Sequence, residues 1–292
     1  MQNRTDARWA GFVLLAVTAV GWGLNWAFIK LLLRDWPPLF SRGVSGVAAA
    51  VILAAVASAR GESLKVPRSV VPALLVAAFT NVFAWMGFGT AAMVDLSISE
   101  GTLLVYTMPI WAMLFAWPLL GARPRARDVV ALLLGLAGIL VLFAGGQFAF
   151  SAGKLGGIAL ALSSAILFAL GSVRTRAPLP IDPIALVAWQ VGLGCAPMVL
   201  FGLAFEQPDV AALSRTGLTV LIYMTLVPMG LCYLTWFAAL QRLPASTAAM
   251  GTLIVPLIGV VAAALLLGEP LGTREILAAA LTLGGVALAI KR

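Results

Sequence analysis

The chain has few charged residues: Asp, Glu, Lys and Arg together make up 10% of its 292 residues, whereas 62% are hydrophobic. A soluble globular domain carries about a quarter of its residues as charged side chains, so this composition excludes one. A mean hydropathy of +1.05 agrees. The protein is therefore predicted to be integral to a membrane.

Histidine is absent, and the two cysteines, Cys195 and Cys232, both lie inside apolar stretches. Without histidine, the usual proton shuttle and the commonest metal ligand are missing, and a buried thiol behaves as a small hydrophobic group. The carboxylates lie near the ends of the apolar stretches, whereas acid–base catalysis needs such groups in the site. We therefore expect no catalytic residue, metal or cofactor, and we rank an integral membrane enzyme well below a carrier.

Long uncharged stretches make up most of the chain. Most of them reach the roughly 20 apolar residues that a helix needs to cross the hydrocarbon, and they lack the alternation of barrel strands. We predict an all-α integral membrane protein of the cell inner (cytoplasmic) membrane, with ten transmembrane helices. The ten stretches cover residues 9–29, 43–59, 69–94, 101–122, 129–153, 155–173, 183–205, 216–241, 243–268 and 276–290.

The net charge of +8 comes from basic residues that lie singly or in threes between the apolar stretches. This distribution indicates membrane topology and not a nucleic-acid partner. With a cytoplasmic N-terminus, 13 of the 19 basic residues fall on the cytoplasmic side and 6 outside, which satisfies the positive-inside rule. We therefore predict that both termini face the cytoplasm.

The sequence contains an internal repeat with a shift of 147 positions. The shift places Pro109 on Pro256 and Gly138 on Gly285, and the register holds without a gap over some fifty positions. We predict two halves, residues 1–146 and 147–292, with five helices each. Because five is odd, the second half enters the membrane inverted, as in carriers that work by alternating access.

Several short motifs resemble the EamA-domain branch of the drug/metabolite transporter superfamily. They are Gly21-Trp22-Gly23, the small residues before the paired prolines, the Gly284-Gly285 pair, and Leu267-Gly268-Glu269-Pro270 after the ninth stretch. The resemblance implies a ten-helix carrier of two five-helix repeats. Within this branch, the chain is similar to the exporters of aromatic and neutral amino acids. One departure is that the first half has Gly121-Ala122-Arg123 where the second has Gly268-Glu269-Pro270.

Pro109 and Pro256 are predicted to kink the fourth and ninth helices, because proline lacks a backbone N–H and clashes with the preceding turn. A carbonyl freed in this way can bind a ligand, and interrupted helices mark the sites of many transporters. The alternative is that the prolines only shape helix packing. We interpret Arg42, at the start of the second stretch, as snorkelling to the interface, with contact to a substrate carboxylate near the outer mouth as the alternative.

Aromatic and amide side chains share helix faces deep in the first and third stretches. Trp22, Asn25 and Trp26 stand at i, i+3 and i+4, and Asn81 and Trp85 stand at i, i+4. A mid-membrane asparagine is costly unless it faces protein or a cavity. The predicted substrate-binding residues are Trp22, Asn25, Trp26, Asn81, Trp85, Tyr106, Pro109, Trp111, Ser164, Phe168, Tyr233, Trp236, Thr252 and Pro256.

A lining of aromatic rings with a few amides and hydroxyls suits a compact ligand with an apolar side chain. The sequence thus favours a carrier, a monomer or weak homodimer in the lipid bilayer, that exports small neutral amino acids. Efflux of nucleosides, aromatic drugs or quaternary amines is the alternative. Because no titratable group is predicted at membrane depth, we expect export to follow the substrate gradient and not a proton gradient.

Overall fold

The regular structure is entirely helical in the described residues, which are 2–96, 101, 104–143, 152–175, 179–267 and 272–290 of this computed structural model. The segments are α1 Gln2–Leu32, α2 Pro38–Ala59, α3 Arg68–Ala91, α4 Met108–Leu120, α5 Ala126–Phe143, α6 Leu155–Arg174, α7 Pro183–Glu206, α8 Arg215–Arg242, α9 (Ala245–Gly251, Thr252–Ile254 and Val255–Leu267) and α10 Thr273–Ile290.

Six of these segments are long and apolar enough to cross a membrane: α1, α2, α3, α6, α7 and α8. Shorter apolar helices lie within α4, α9 and α10. The predicted all-helical, membrane-type fold is confirmed. That ten helices cross the membrane stays a prediction, although each uncharged stretch of the sequence falls on one of the ten segments.

Glycine and proline mark several helix ends. Pro38 and Pro183 each stand at the first position of their helices, α2 and α7, where the missing N–H would have no intrahelical partner anyway. Gly121 closes α4 with a φ of 67°, a left-handed conformation that glycine adopts without strain. Gly268, which the repeat aligns with Gly121, lies outside the described residues, as do Glu269 and Pro270.

α2 and α7 pack side by side and run antiparallel, each beginning where the other ends. The carboxylate of Glu206, at the end of α7, accepts hydrogen bonds from two backbone N–H groups in the first turn of α2, at 3.0 and 2.8 Å. Glu62, just after α2, accepts two from the first turn of α7, at 3.0 and 3.2 Å. A carboxylate at a helix N-terminus satisfies free N–H groups and complements the helix dipole.

α5 and α10 form a second antiparallel pair in close contact. A Cβ atom on Gly285 of α10 would lie 2.6 Å from the carbonyl oxygen of Ala131 in α5, while Gly138 of α5 faces Ala278 and Thr282 of α10. Such close approach requires small residues, as expected for helix packing in a membrane. These glycines serve the scaffold.

The remaining large helix contacts come in matched pairs. The contact of α1 with α8 corresponds to that of α6 with α3. The contact of α1 with α9 corresponds to that of α6 with α4, and the contact of α2 with α8 corresponds to that of α7 with α3. Exchanging each helix of the first half with its counterpart in the second therefore reproduces the contact pattern. The four helices α1, α3, α6 and α8 lie at the centre of this arrangement and contribute much of the largest buried apolar cluster.

Two central helices, α3 and α8, depart from α-helical geometry in their middle. α3 is a π-helix over Phe79–Phe88, and α8 is one over Thr225–Leu231. A shift of 147 places residue 79 on residue 226, so the two π segments occupy equivalent positions in the repeat. π segments inside helices are frequent at functional sites, and these two adjoin the centre of the molecule.

Pro109 and Pro256 follow breaks in their helices. Pro109 is the second residue of α4, directly after a turn at residues 106 and 107, and Pro256 is the second residue of Val255–Leu267, directly after the 3-10 turn Thr252–Ile254. Both prolines are buried. The two halves therefore interrupt their helices at equivalent places.

Candidate functional site

Five aromatic side chains meet at the centre of the molecule, and we call them the central aromatic cluster: Trp22 of α1, Trp85 of α3, Phe168 of α6, and Tyr233 and Trp236 of α8. The ring centroid of Phe168 lies 4.3 Å from Trp85 and 5.6 Å from Trp236. The centroid of Trp22 lies 5.7 Å from Trp236 and 5.8 Å from Tyr233. Tilted, stacked and edge-on contacts at these distances stabilise aromatic pairs beyond their buried area.

The five residues were all predicted from the sequence, and each half contributes to the cluster. Trp22 and Trp85 come from the first half, and the other three come from the second. Phe168, Tyr233 and Trp236 are completely buried, and Trp22 is 8% exposed. The cluster therefore joins residues from both parts of the sequence repeat.

Backbone carbonyls of the two π segments accept hydrogen bonds from side chains at the cluster. Trp22 Nε1 donates to the carbonyl of Pro228 (3.2 Å), and the Tyr233 hydroxyl donates to the carbonyl of Asn81 (3.2 Å). The hydroxyl of Ser164 donates to the carbonyl of Trp85 (3.1 Å). The π geometry thus positions the aromatic rings. A shift of 147 places Asn81 on Pro228.

Asn81 connects three helices through its side chain. Its Nδ2 donates to Gln190 Oε1 of α7 and to Thr175 Oγ1 after α6, each at 3.2 Å, while its Oδ1 is buried without a hydrogen-bond partner. The predicted binding role of Asn81 is untested. Its amide donor is used by protein groups, so its Oδ1 is the polar atom left for a ligand.

The polar residues beside the paired prolines bond to their own helices. The hydroxyl of Thr252 donates to the carbonyl of Ala249 (2.7 Å), and that of Thr107 donates to the carbonyl of Leu104 (2.6 Å). Trp111 Nε1 donates to Thr107 Oγ1 at 3.2 Å. These hydrogen bonds help to satisfy backbone carbonyls and the indole N–H where the two helices are interrupted.

The Thr252 carbonyl, which Pro256 was predicted to free, accepts the N–H of Val255. Tyr106 belongs to the same buried apolar cluster as Trp22 and Phe168, and Trp111 packs against it. The structure therefore places both halves' break regions beside the central helices. The side chain of Trp26 lies outside the described part of the chain.

Two successive parts of the chain, residues 9–144 and 155–291, match the sequence model of the EamA-like transporter family. The chain belongs to this family. The resemblance inferred from the glycine, tryptophan and proline motifs is thereby confirmed. A family of transporters, together with the apolar helices, identifies the chain as a multi-pass membrane transporter.

Individual relatives agree with this assignment. The uncharacterized transporter YvbV of Bacillus subtilis is 30% identical over 262 residues, which cover 89% of this chain and 84% of YvbV. A probable amino-acid metabolite efflux pump of Salmonella typhimurium is 27% identical over an alignment of 297 residues, covering 94% of this chain and 93% of the pump. A solved crystal structure has the same fold, with a TM-score of 0.84, 22% identity, and coverage of 98% of this chain and 96% of the other.

Besides Oδ1 of Asn81, two polar atoms near the cluster of this EamA-like transporter are buried without hydrogen-bond partners. They are Nε1 of Trp236, a donor inside the central aromatic cluster, and Oδ1 of Asn25, an acceptor one turn after Trp22 on α1. Buried polar atoms are nearly always paired in proteins. An unpaired donor and an unpaired acceptor near the cluster are therefore candidate ligand contacts. No group of three metal-ligating side chains occurs among the described residues.

Arg42 of the EamA-like transporter corrects an interpretation made from the sequence. Its guanidinium Nη1 lies 3.1 Å from Sδ of Met86 in α3, and its Nε is buried without a hydrogen-bond partner. Its electrostatic neighbours are Tyr233 and Cys195. The side chain therefore turns toward the interior and does not snorkel.

Proposed function

We propose that this EamA-like transporter exports small neutral amino acids, aromatic ones among them, across the inner membrane of a bacterial cell. The observation that carries the proposal is the central aromatic cluster. Rings from both halves face one another there, and the adjacent polar atoms are few. An aromatic or aliphatic side chain packs well on such rings, and the name of the Salmonella typhimurium relative, a probable amino-acid metabolite efflux pump, supports the substrate class.

The mechanism that we propose is alternating access between two inverted five-helix halves, residues 1–146 and 147–292. The antiparallel pairs α2–α7 and α5–α10 support it, because equivalent helices of inverted repeats run in opposite directions. The matched helix contacts support it as well. Transporters with inverted repeats hold their substrate near the membrane midplane, where the halves meet, and the central aromatic cluster, with rings from both halves, supports a site of this kind.

The cluster's contacts support a role in opening and closing. In this structure Trp22 of the first half contacts Phe168, Tyr233 and Trp236 of the second. A substrate side chain entering between the halves replaces some of these ring contacts with its own. Ring-to-ring contact in the empty carrier and ring-to-substrate contact in the loaded one are chemically similar, so the exchange needs little energy.

Efflux from proteoliposomes tests the proposal. Vesicles loaded in turn with tryptophan, leucine, glutamate, uridine and a quaternary amine should release tryptophan and leucine fastest, relative to protein-free vesicles. An ionophore that collapses an imposed pH gradient should leave these rates unchanged, because the proposed driving force is the substrate gradient. Faster release of uridine or of the quaternary amine would favour the alternative substrates and contradict the proposal.

A further inference from the structure

We propose that Arg42 binds the carboxylate of the exported amino acid and thereby selects substrates that carry one. The inference rests on the proposed function and names the group that recognises the charged end of the substrate. In this proposal the central aromatic cluster binds the apolar side chain of the substrate, whereas Arg42 binds its carboxylate.

The position of Arg42 carries the first part of the argument. It is the fifth residue of α2, and its side chain reaches α3, where Nη1 contacts Sδ of Met86 at 3.1 Å. Met86 directly follows Trp85 of the central aromatic cluster. Tyr233, another member of the cluster, is an electrostatic neighbour of the guanidinium. The guanidinium therefore contacts α3 at Met86 and lies within electrostatic range of Tyr233.

The charge of Arg42 is not balanced by the described part of the protein. Its polar contact there is a thioether sulfur, a weak acceptor, and its Nε is buried without a partner. The neighbours Tyr233 and Cys195 are groups that are neutral at physiological pH. Arg42 is partly buried, and a cation withdrawn from water without an anion is costly, which makes the site attractive to a carboxylate from outside the chain.

The carboxylate of Glu206 caps the start of α2 and is occupied there. Its two oxygens accept the N–H groups of Leu39 and Phe40, at 3.0 and 2.8 Å. It is therefore held at the helix N-terminus, just outside Arg42. A guanidinium offers parallel donors that match a carboxylate in a bidentate arrangement, so a substrate carboxylate satisfies donors that the described protein groups leave open.

The charge is present in one half only. When α2 and α7 are aligned on their first residues, Pro38 and Pro183, Arg42 corresponds to Val187, which is buried and apolar. A duplicated site with a single cation binds a zwitterion in one orientation. It also disfavours cationic drugs, because like charges repel.

The test compares phenylalanine with phenylalaninamide, which has the same ring and amine but no carboxylate. Efflux of each is measured from proteoliposomes that contain the wild type, Arg42→Gln, Arg42→Lys or the control Arg34→Gln, with protein-free vesicles as the leak reference. Arg34 is exposed and lies between α1 and α2 on the same side of the molecule. The wild type should prefer phenylalanine.

In Arg42→Gln, phenylalanine efflux should fall roughly tenfold or more, as expected for a lost charge-assisted hydrogen bond, while amide efflux stays the same or rises. Arg42→Lys should retain part of the preference, because it keeps the charge but not the bidentate geometry. Arg34→Gln should behave as the wild type.

Equal losses for both substrates in Arg42→Gln would assign Arg42 a structural role and overturn the inference. Unchanged phenylalanine efflux would overturn it too, and the proposed function would stand. If the wild type exports no amino acid, the proposed function fails and the inference fails with it. If Arg42→Gln does not insert into vesicles, the wild-type preference and Arg42→Lys still decide: absence of preference in the wild type contradicts the inference.

Discussion

The two halves of the molecule present the same backbone device with different side chains. In α3 the π segment exposes the carbonyl of Asn81 to the Tyr233 hydroxyl, and in α8 the π segment exposes the carbonyl of Pro228 to Trp22 Nε1. A shift of 147 places Asn81 on Pro228. At this position of the repeat the backbone carbonyl therefore accepts a side-chain hydrogen bond in both cases, while the residue that carries the carbonyl differs.

The means of support differ in physical terms. Pro228 has no N–H, so it cannot complete the helical hydrogen bond of the preceding turn. Asn81 has its N–H but uses its side chain to bind Gln190 and Thr175. The first half is thus held by cross-helix hydrogen bonds, whereas in the second the missing donor of Pro228 leaves the carbonyl of Met224, one turn earlier, without its α-helical partner and disfavours regular helix. This difference shows that backbone geometry is shared between the halves, whereas polar chemistry is specific to each.

Asn81→Ala and Pro228→Ala should differ clearly in their effect on the free energy of unfolding, and this is the largest difference that we expect between the halves. Asn81→Ala removes two side-chain hydrogen bonds and leaves Gln190 and Thr175 without these donors, so the free energy of unfolding should fall by about 1–3 kcal/mol. Pro228→Ala restores a backbone donor and should change stability by less than about 1 kcal/mol, because the helix tolerates it. Thermal unfolding of the purified variants in detergent measures both.

Transport should respond to Pro228→Ala even though its effect on stability is small. Pro228→Ala allows α8 to return to regular α-helical bonding, which withdraws the carbonyl from Trp22 and should slow efflux without loss of folded protein. Thr219→Ala, an exposed position on the same helix whose hydroxyl bonds only within that helix, serves as the control. Equal stability losses for Asn81→Ala and Pro228→Ala would show that both halves use the same support.

Glu62→Gln and Glu206→Gln test whether the two halves cap their helices equivalently, and we expect a smaller effect on stability. Each carboxylate accepts two N–H groups at the start of the other half's helix, so each loss of charge should lower stability by about 0.5–1 kcal/mol, and by similar amounts. Asp209→Asn is the matched control, because Asp209 accepts only a local N–H, that of Ala211. A large effect at one glutamate and none at the other would contradict equivalent roles in the two halves.

Much of the fold follows from hydrophobic patterning, because the length of each uncharged stretch and the requirement to pair backbone groups in lipid leave helices as the solution. The central aromatic cluster was predictable in part as well: the i, i+3 spacing places Trp22 and Asn25 on one face, and mid-membrane asparagine requires that face to turn inward. Such periodicity identifies a face but not its neighbours.

The contacts that sequence reasoning missed depend on those neighbours. Arg42 was predicted to snorkel because it begins an apolar stretch, yet packing of α2 against α3, α7 and α8 directs it inward. The carbonyl of Pro228 accepts a hydrogen bond from Trp22, which lies in a helix far away in the sequence. Asn81 finds Gln190 and Thr175, residues 109 and 94 positions away in sequence. Tertiary packing determines these contacts, and local spacing carries no signal for them.

The most direct test of the central claim is the dependence of efflux on substrate size in Trp22→Ala. The control is Trp117→Ala, which removes a tryptophan that is 51% exposed. If the central aromatic cluster binds the substrate side chain, Trp22→Ala should slow efflux of tryptophan by roughly fivefold or more relative to alanine, since a lost ring contact is worth about 1 kcal/mol beyond lost area. Trp117→Ala should leave the ratio of the two rates unchanged. An equal decrease for tryptophan and alanine in Trp22→Ala, at a normal level of folded protein, would contradict the account.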